Sequence, residues 1–423
     1  KNPETRSPLR VNWRDVTVNA VDDATIQFQL PAVYAAFPNA LTFSVLPEHI
    51  LGSVAPGAMR ENNFSRSPVG SGPFSFTLLQ SAGGSDSQHR VVHMTAFKDY
   101  YIGTPQLSRF EVHAYATQDA ILRALRTGEV SAAADLTGTD QSQIDTHNYM
   151  ITNKSVNSGA YALFNTDTPI LREKVIRQAL ELGTDTKAIR ANQSANVAPL
   201  ELPFIEGQLT GNDIPRPSGT NTTKANELLQ QAGWELKGGI RQKGDQKLTL
   251  TVATTKNPQY EKALETLAGQ WRKLGVVVNT NVVNTADPSI NFVQNILQAR
   301  SYDVLLYELF IGADPDVYAY WHSSQTGMSG YNFSNYTNKS ADDALASARS
   351  RLEPELRNAK YKLFAKQWID DVPAIGLYQS TAEYVSNKHV RSMESSSKLI
   401  SGYDRYANVL DWSVNEKSVY KTP

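Results

Sequence analysis

The sequence contains no cysteine. That absence excludes thiol nucleophiles, cysteine-ligated zinc and disulfide staples together. It suits a protein that works outside a reducing cytosol without cross-links. Nor does any stretch reach the roughly 18 to 20 apolar residues that a membrane span needs, and no targeting peptide is visible at Lys1. Charge of one sign is lacking too: 41 Lys and Arg stand against 42 Asp and Glu. Without a dense basic block there is no electrostatic footprint for nucleic acid. No internal repeat or low-complexity tract interrupts the 423 residues, a length that allows two or three domains.

What is present reads as α/β. Alternating "VTVNAV" and "TIQFQL" flank the turn pair Asp22–Asp23, which predicts a hairpin, and "FSFTLLQ" with "HRVVHMTAF" predicts a second. "SPVGSGPF" (67–74) precedes the second hairpin. Its spacing does not match a phosphate loop, and no helix follows it. It is expected to be a turn feeding a strand, with proline fixing φ and glycine supplying positive φ. "TQDAILRALRTGEV" predicts a helix capped by Thr117 and stopped by Gly128, and "REKVIRQALEL" a second with Pro169 at its first position. From "KLTLTVA" to "YDVLLYEL", strands alternate with "NPQYEKALETLAGQWRKLG" and "PSINFVQNILQA". This alternation argues for βαβ units and a largely parallel sheet. A long amphipathic helix, "PELRNAKYKLFAKQWIDD", and a strand, "PAIGLYQ", follow.

Catalytic signatures are scarce. Among the seven histidines only His89 and His93 stand close, at i and i+4, in a stretch that reads as strand with no carboxylate between them. A solvated strand face is the preferred reading, and no metal or cofactor is expected. No "GxSxG" elbow occurs. The pairs Asp22–Asp23, Asp342–Asp343 and Asp370–Asp371 fall where turns and caps favour aspartate. A long loop, residues 309–338, follows the strand "YDVLLYEL". It is rich in Tyr, Asn, Ser and Gly, a mixture suited to recognition at the carboxyl end of a strand. Binding is favoured there over a loop whose aromatics merely pack on the domain.

Eight stretches in order resemble one family: "VTVNAVDDATIQFQL", "LPEHIL", "SPVGSGPF", "ALRTGEVSAA", "LFNTDTPILREKVIRQAL", "NELLQQAGW", "YDVLLYELFIGADPD" and "DVPAIGLY". It is the family 5 extracytoplasmic substrate-binding proteins of ABC importers, the oligopeptide, dipeptide and nickel type. The resemblance implies a bilobed, type II periplasmic-binding-protein-like α/β fold that closes on its ligand about a two-segment hinge. It implies lobe I at 1–163 with 375–423 and lobe II at 164–374, the crossings lying near Asn165 and Tyr378. It also implies a monomer outside the cytoplasm that hands its solute to a permease. Family members carry a signal peptide, usually a lipid-anchored cysteine, and a longer amino-terminal section. The chain therefore resembles the family from partway in.

Carried onto this sequence, the resemblance makes Tyr161, Asn165, Tyr307, Ile311, Asp314, Asp316, Tyr331, Asn332 and Tyr378 the candidate ligand-binding residues. One departure stands out. Peptide-binding members carry an aspartate three residues before their "DP", where it pairs with the peptide's α-ammonium, and this chain has Ile311. An aliphatic side chain cannot neutralise an ammonium. Glu308, Asp314 or Asp316 would have to substitute. The function expected is capture of a peptide or other small polar solute, without catalysis. The alternatives are a secreted α/β hydrolase or peptidase, and a sensory or adhesive binding protein.

Overall fold

A computed structural model describes residues 2–415, apart from 6, 8–12, 14, 82–88, 135, 137–142, 194–195, 288 and 395–397. The first hairpin forms as expected, β1 (Thr17–Asp22) pairing antiparallel with β2 (Thr25–Gln29). Asp22 accepts from the Ala24 N–H, a turn role that its short carboxylate suits. The second hairpin pairs β3 (Phe74–Ser81) with β4 (Arg90–Ala96), and β5 (Arg109–Ala114) extends it to three strands. Its connecting loop, 82–88, lies outside the described residues. The "SPVGSGPF" turn does feed β3 directly, and the Phe97 N–H donates to the Pro73 carbonyl. Neither Gly70 nor Gly72 takes positive φ, however, so close turning rather than left-handed backbone explains their use.

Helix α1 (Gln118–Thr127) is capped by Thr117, whose hydroxyl accepts from the Ala120 N–H, and ends at Gly128 with φ of 74°. Short β6 (Ala132–Ala134) and then β7 (Tyr149–Phe164) follow. Helix α2 (Lys174–Leu182) starts later than the sequence suggests: Glu173, not a residue before Pro169, is the N-cap. After α3 (Thr186–Ala191) and α4 (Thr222–Gln231) come the small strands β8 (Glu235–Lys237), β9 (Ile240–Lys243) and β10 (Gln246–Lys247). The βαβ section then runs β11 (Thr249–Thr255), α5 (Pro258–Lys273), β12 (Val277–Val283), a π-helical turn at Val293–Gln298 and β13 (Val304–Phe310). Helices α6 (Lys339–Arg349) and α7 (Pro354–Asp371) lead to β14 (Ala374–Asn387), and β15 (Val390–Arg391) pairs with β16 (Ser413–Val414).

The six-stranded sheet has the order β12-β11-β13-β7-β14-β6. Only β12, β11 and β13 are mutually parallel; β7, β14 and β6 join antiparallel, so the sheet is mixed rather than largely parallel. The reason is visible in β7 and β14. They are long strands that insert beside β13 and beside each other with their directions reversed, although the whole helical section lies between them in the chain. Their period of two also builds the core. Ala160, Ala162 and Phe164 face one side with Ile176, Leu264, Leu267 and Trp271. Tyr161 and Leu163 face the other with Leu345, Phe364 and Trp368. Lower down, β14 pairs with β6, and separate apolar clusters form around α1 and around Trp412. β7 and β14 thus run through two bodies of packed core. Both faces of the upper sheet are covered by helices, as the α/β reading requires.

Candidate functional site

The carboxyl ends of the parallel strands gather the polar groups, the position where open α/β sheets present ligand-binding residues. Glu308 lies near the end of β13, on the face turned towards α5. Its Oε2 accepts from the Ser380 hydroxyl at 2.8 Å and the Tyr260 hydroxyl at 3.3 Å. Tyr260 occupies the first turn of α5. There Asn257 caps the helix by accepting from the Gln259 and Tyr260 N–H groups, and Pro258 takes the first helical position. Tyr378 and Ser380 come from β14 at two places where the register against β7 shifts, between Gly376 and Tyr378 and between Gln379 and Thr381. Such bulges re-aim side chains.

The Tyr378 side chain is 1% exposed, and among the described residues its hydroxyl has no hydrogen-bond partner. Burial, followed by the charge of Glu308, pushes that hydroxyl above the usual tyrosine range. Tyr260 is held up for the same two reasons in the same order. The arrangement is therefore a carboxylate ringed by neutral hydroxyls, one of them unsatisfied. An anion there attracts a cation or a strong donor, and aromatic rings around it add cation–π attraction.

On the opposite face of β13, Tyr307 is half-buried beside Phe292 and Phe333, at centroid distances of 5.9 and 6.0 Å. Phe333 also meets the exposed ring of Tyr331 at 6.3 Å. Tyr307, Tyr331 and Tyr378 are thus the candidates that the structure brings to the strand ends.

The other candidates sit elsewhere. The Tyr161 ring is fully buried in the core and its hydroxyl donates to the Leu202 carbonyl. Asn165 ties down the Tyr302 and Arg300 carbonyls. Fully buried Asn332 donates to the carbonyls of His322 and Tyr336 and accepts from the Tyr336 N–H. Ile311 is 7% exposed, its N–H bound to the Asn157 carbonyl. Asp314 forms a two-pronged pair with Arg357, at 2.6 and 2.9 Å. Asp316 pairs with Arg349 at 3.0 Å, where the guanidinium lies between the rings of Tyr34 and Tyr318. Burial raises the Asp316 carboxyl despite the opposing pull of Arg349. Both aspartates thus hold the loop to helices α6 and α7. The loop 309–338 itself is mostly packed: Val317, Trp321, Phe333 and Tyr336 are all buried. The expectation that its aromatics chiefly recognise a ligand gives way to the packing role for three of them, Trp321, Phe333 and Tyr336.

Two groups at the site were not among the sequence candidates, Tyr260 and Ser380. A signal existed for the first: "TTKNPQY" puts a helix first turn immediately after a strand's carboxyl end. For Ser380 the signal is a bulge, which leaves no mark in the sequence.

A serine–histidine–aspartate grouping also occurs, at Ser324, His322 and Asp342. The Ser324 hydroxyl lies 2.9 Å from His322 Nδ1, but that nitrogen already accepts the Ser324 backbone N–H. His322 Nε2 is 3.9 Å from Asp342, too far for a hydrogen bond, and Asp342 binds the Ser323 N–H and hydroxyl instead. This is a helical-turn cap, without the base geometry of a nucleophile triad. A cavity of about 320 Å³ is lined by residues of the segment from Pro199 to Arg216, among them Leu202, whose carbonyl accepts from Tyr161.

Comparison with known proteins bears on the family and the fold. A family model described as bacterial extracellular solute-binding proteins, family 5, middle region, matches residues 1–330. The oligopeptide-binding protein AppA of Bacillus subtilis is 27% identical over 353 residues, covering 81% of this chain and 62% of that protein. The chain thus spans less than two thirds of that relative's length. The AppA structure, in complex with a nonapeptide, superposes with a TM-score of 0.76 at 22% identity, over 98% of this chain and 82% of that one. The substrate-binding protein CtaP of Listeria monocytogenes gives a TM-score of 0.82 at 24% identity. NikZ of Campylobacter jejuni, in complex with Ni(L-His), gives 0.79 at 23%. These two likewise cover 98% of this chain and 82% of their own.

Proposed function

We propose, for a chain that belongs to the bacterial extracellular solute-binding proteins of family 5, that it captures a small polar solute between two lobes and delivers it to an ABC importer's permease. The lobes are residues 1–163 with 375–423, and 164–374. In this reading β7 ends and β14 begins at the two passages between them, and the β14 register shifts follow within a few residues of the second, between Gly376 and Thr381. The protein acts as a binding protein rather than an enzyme, outside the cytoplasm and as a monomer. Among the described residues no helix is long and apolar enough to cross a membrane.

The observation that carries the reading is the Glu308 carboxylate with the unsatisfied Tyr378 hydroxyl beside it. A buried hydroxyl without a partner costs about 1 to 3 kcal/mol, and a ligand that supplies the partner recovers it. The solute is one with a cationic group or several N–H donors, and a short peptide with a free ammonium fits that description. Glu308 then takes the charge-neutralising part that Ile311 cannot, while Tyr307 and Tyr331 add contact area. NikZ's nickel complex and AppA's nonapeptide mark two ligand classes among the similar structures, and the carboxylate favours an amine-bearing solute. The test is to purify the protein without refolding, extract retained solutes under denaturing conditions and identify them by mass. An amine- or guanidinium-bearing species supports the proposal. A retained anionic solute, such as a sugar phosphate, overturns it.

A further inference from the structure

A second chemically pointed cluster lies outside the strand-end site, on the face of the three-stranded sheet. In the β4–β5 register His93 stands opposite Glu111 and Val91 opposite His113. Continuing that pairing puts His89 level with Tyr115, and the two rings stack at 4.4 Å with a 13° interplanar angle. Period two then turns His89, His93, Glu111, His113 and Tyr115 to one side of the sheet. Gly128 ends α1 in the left-handed conformation, which brings Glu129 over that same face. Residues far apart in sequence, at 89, 113 and 129, therefore converge. The sequence pair His89–His93 does not: His93 turns to Glu111 and Gln80, each at 2.9 Å.

The distances are those of ligands around an ion. His89 Nε2 lies 3.2 Å from His113 Nδ1, and Glu129 Oε1 lies 3.8 Å from the first and 3.6 Å from the second. A triangle with these sides has a centre about 2 Å from each corner, the length of a zinc–nitrogen or zinc–oxygen bond. The Tyr115 hydroxyl, 3.0 Å from Glu129 Oε1 and 3.4 Å from His113 Nδ1, borders the remaining coordination position. The outer partner is in place as well. His113 Nε2, the ring nitrogen that would not ligate, sits 3.4 Å from Glu111 Oε2. A carboxylate behind a ligating imidazole fixes its tautomer and orientation. Both imidazoles are largely buried, at 14% and 13% exposure, while Glu129 is 44% exposed and leaves an entry path.

We propose that His89, His113 and Glu129 form a binding site for a divalent transition-metal ion of zinc's class. Two imidazoles and one carboxylate suit such an ion better than calcium or magnesium, which prefer all-oxygen shells. The site ties together the residue before β4, the end of β5 and the residue after the α1 cap, so its role is to staple this part of the molecule. It is separate from the solute site, because none of its residues lies on the six-stranded sheet.

The test uses tag-free protein dialysed against chelator and then titrated with zinc chloride alone in a calorimeter, alongside thermal melts. The wild type is expected to bind one equivalent with a dissociation constant of micromolar or tighter, and to melt higher with zinc. His113→Ala and Glu129→Gln should each weaken binding at least about tenfold and abolish the zinc-dependent rise. His49→Ala, an exposed histidine elsewhere, should change neither. Glu129→Gln keeps the shape of an exposed side chain, so it remains decisive if His113→Ala does not fold. Absence of saturable binding by the wild type, or binding that Glu129→Gln leaves unaltered, overturns the proposal.

Discussion

At the scale of single residues, Tyr378 and Asp314 test the proposed division between recognition and architecture. The Tyr378 hydroxyl is buried without a partner, so Tyr378→Phe should leave the ligand-free melting temperature unchanged or slightly higher. It should weaken solute binding by about tenfold, the worth of one good hydrogen bond. Equal affinity by calorimetry would remove Tyr378 from the site. Asp314→Asn should do the reverse. Leaving Arg357 without its two-pronged partner costs about 2 to 4 kcal/mol of stability, measured by urea denaturation, with affinity in the remaining folded protein unaltered. A specific loss of binding at full stability would show that Asp314 touches ligand after all. Glu181 supplies a pH dependence. Burial raises its carboxyl from 4.5 to about 7, so the folded state holds a proton that the unfolded chain releases. Stability should therefore fall as pH rises from about 4.5 to about 7 and level off above, since the unfolded state binds fewer protons across that window. Glu181→Gln should flatten this slope in denaturation series at several pH values.

At the scale of elements, local sequence chemistry was easy to read and register was not. The bounds of α7 coincide with "PELRNAKYKLFAKQWIDD", and Thr117 caps the helix for which it was expected. Side-chain capping is a short-range interaction, written in adjacent residues. The antiparallel joining of β7 to the parallel core depends on contacts 140 to 152 residues apart, and that of β14 to β7 on contacts more than 200 apart, and no local pattern records either. The same limit explains the site. Tyr307 and Tyr378, candidates by their place in the family pattern, lie at the strand ends, whereas Ser380 arrives there through a bulge and Tyr260 through a helix start. Asp314 and Asp316 were drawn towards the ligand by sequence position, whereas Arg357 and Arg349, on helices 33 to 43 residues later in the chain, hold them in ion pairs. A substitution at the cap tests how element and site are coupled. Asn257→Ala should cost about 1 kcal/mol of stability. Because Tyr260 lies in the turn that the cap fixes, it should also loosen solute binding, more so than Thr117→Ala on a helix remote from the site. Equal effects of the two on affinity would uncouple the α5 start from recognition.

The whole molecule offers a mixed sheet whose two long strands run from one packed body into another, with a carboxylate, hydroxyls and aromatic rings near the passage between them. In the proposed two-lobe reading, enclosure buries the ligand and slows its escape, which places affinity chiefly in the dissociation rate. The most direct measurement is therefore a comparison of native and denaturing mass spectra of the wild type and Glu308→Gln, purified identically. A discrete additional mass in the native spectrum of the wild type, lost in both denaturing spectra and absent or strongly reduced in native Glu308→Gln, is the predicted result. The same additional mass held to the same extent by Glu308→Gln would contradict the account, because the solute would then be bound without the carboxylate on which recognition is argued to rest.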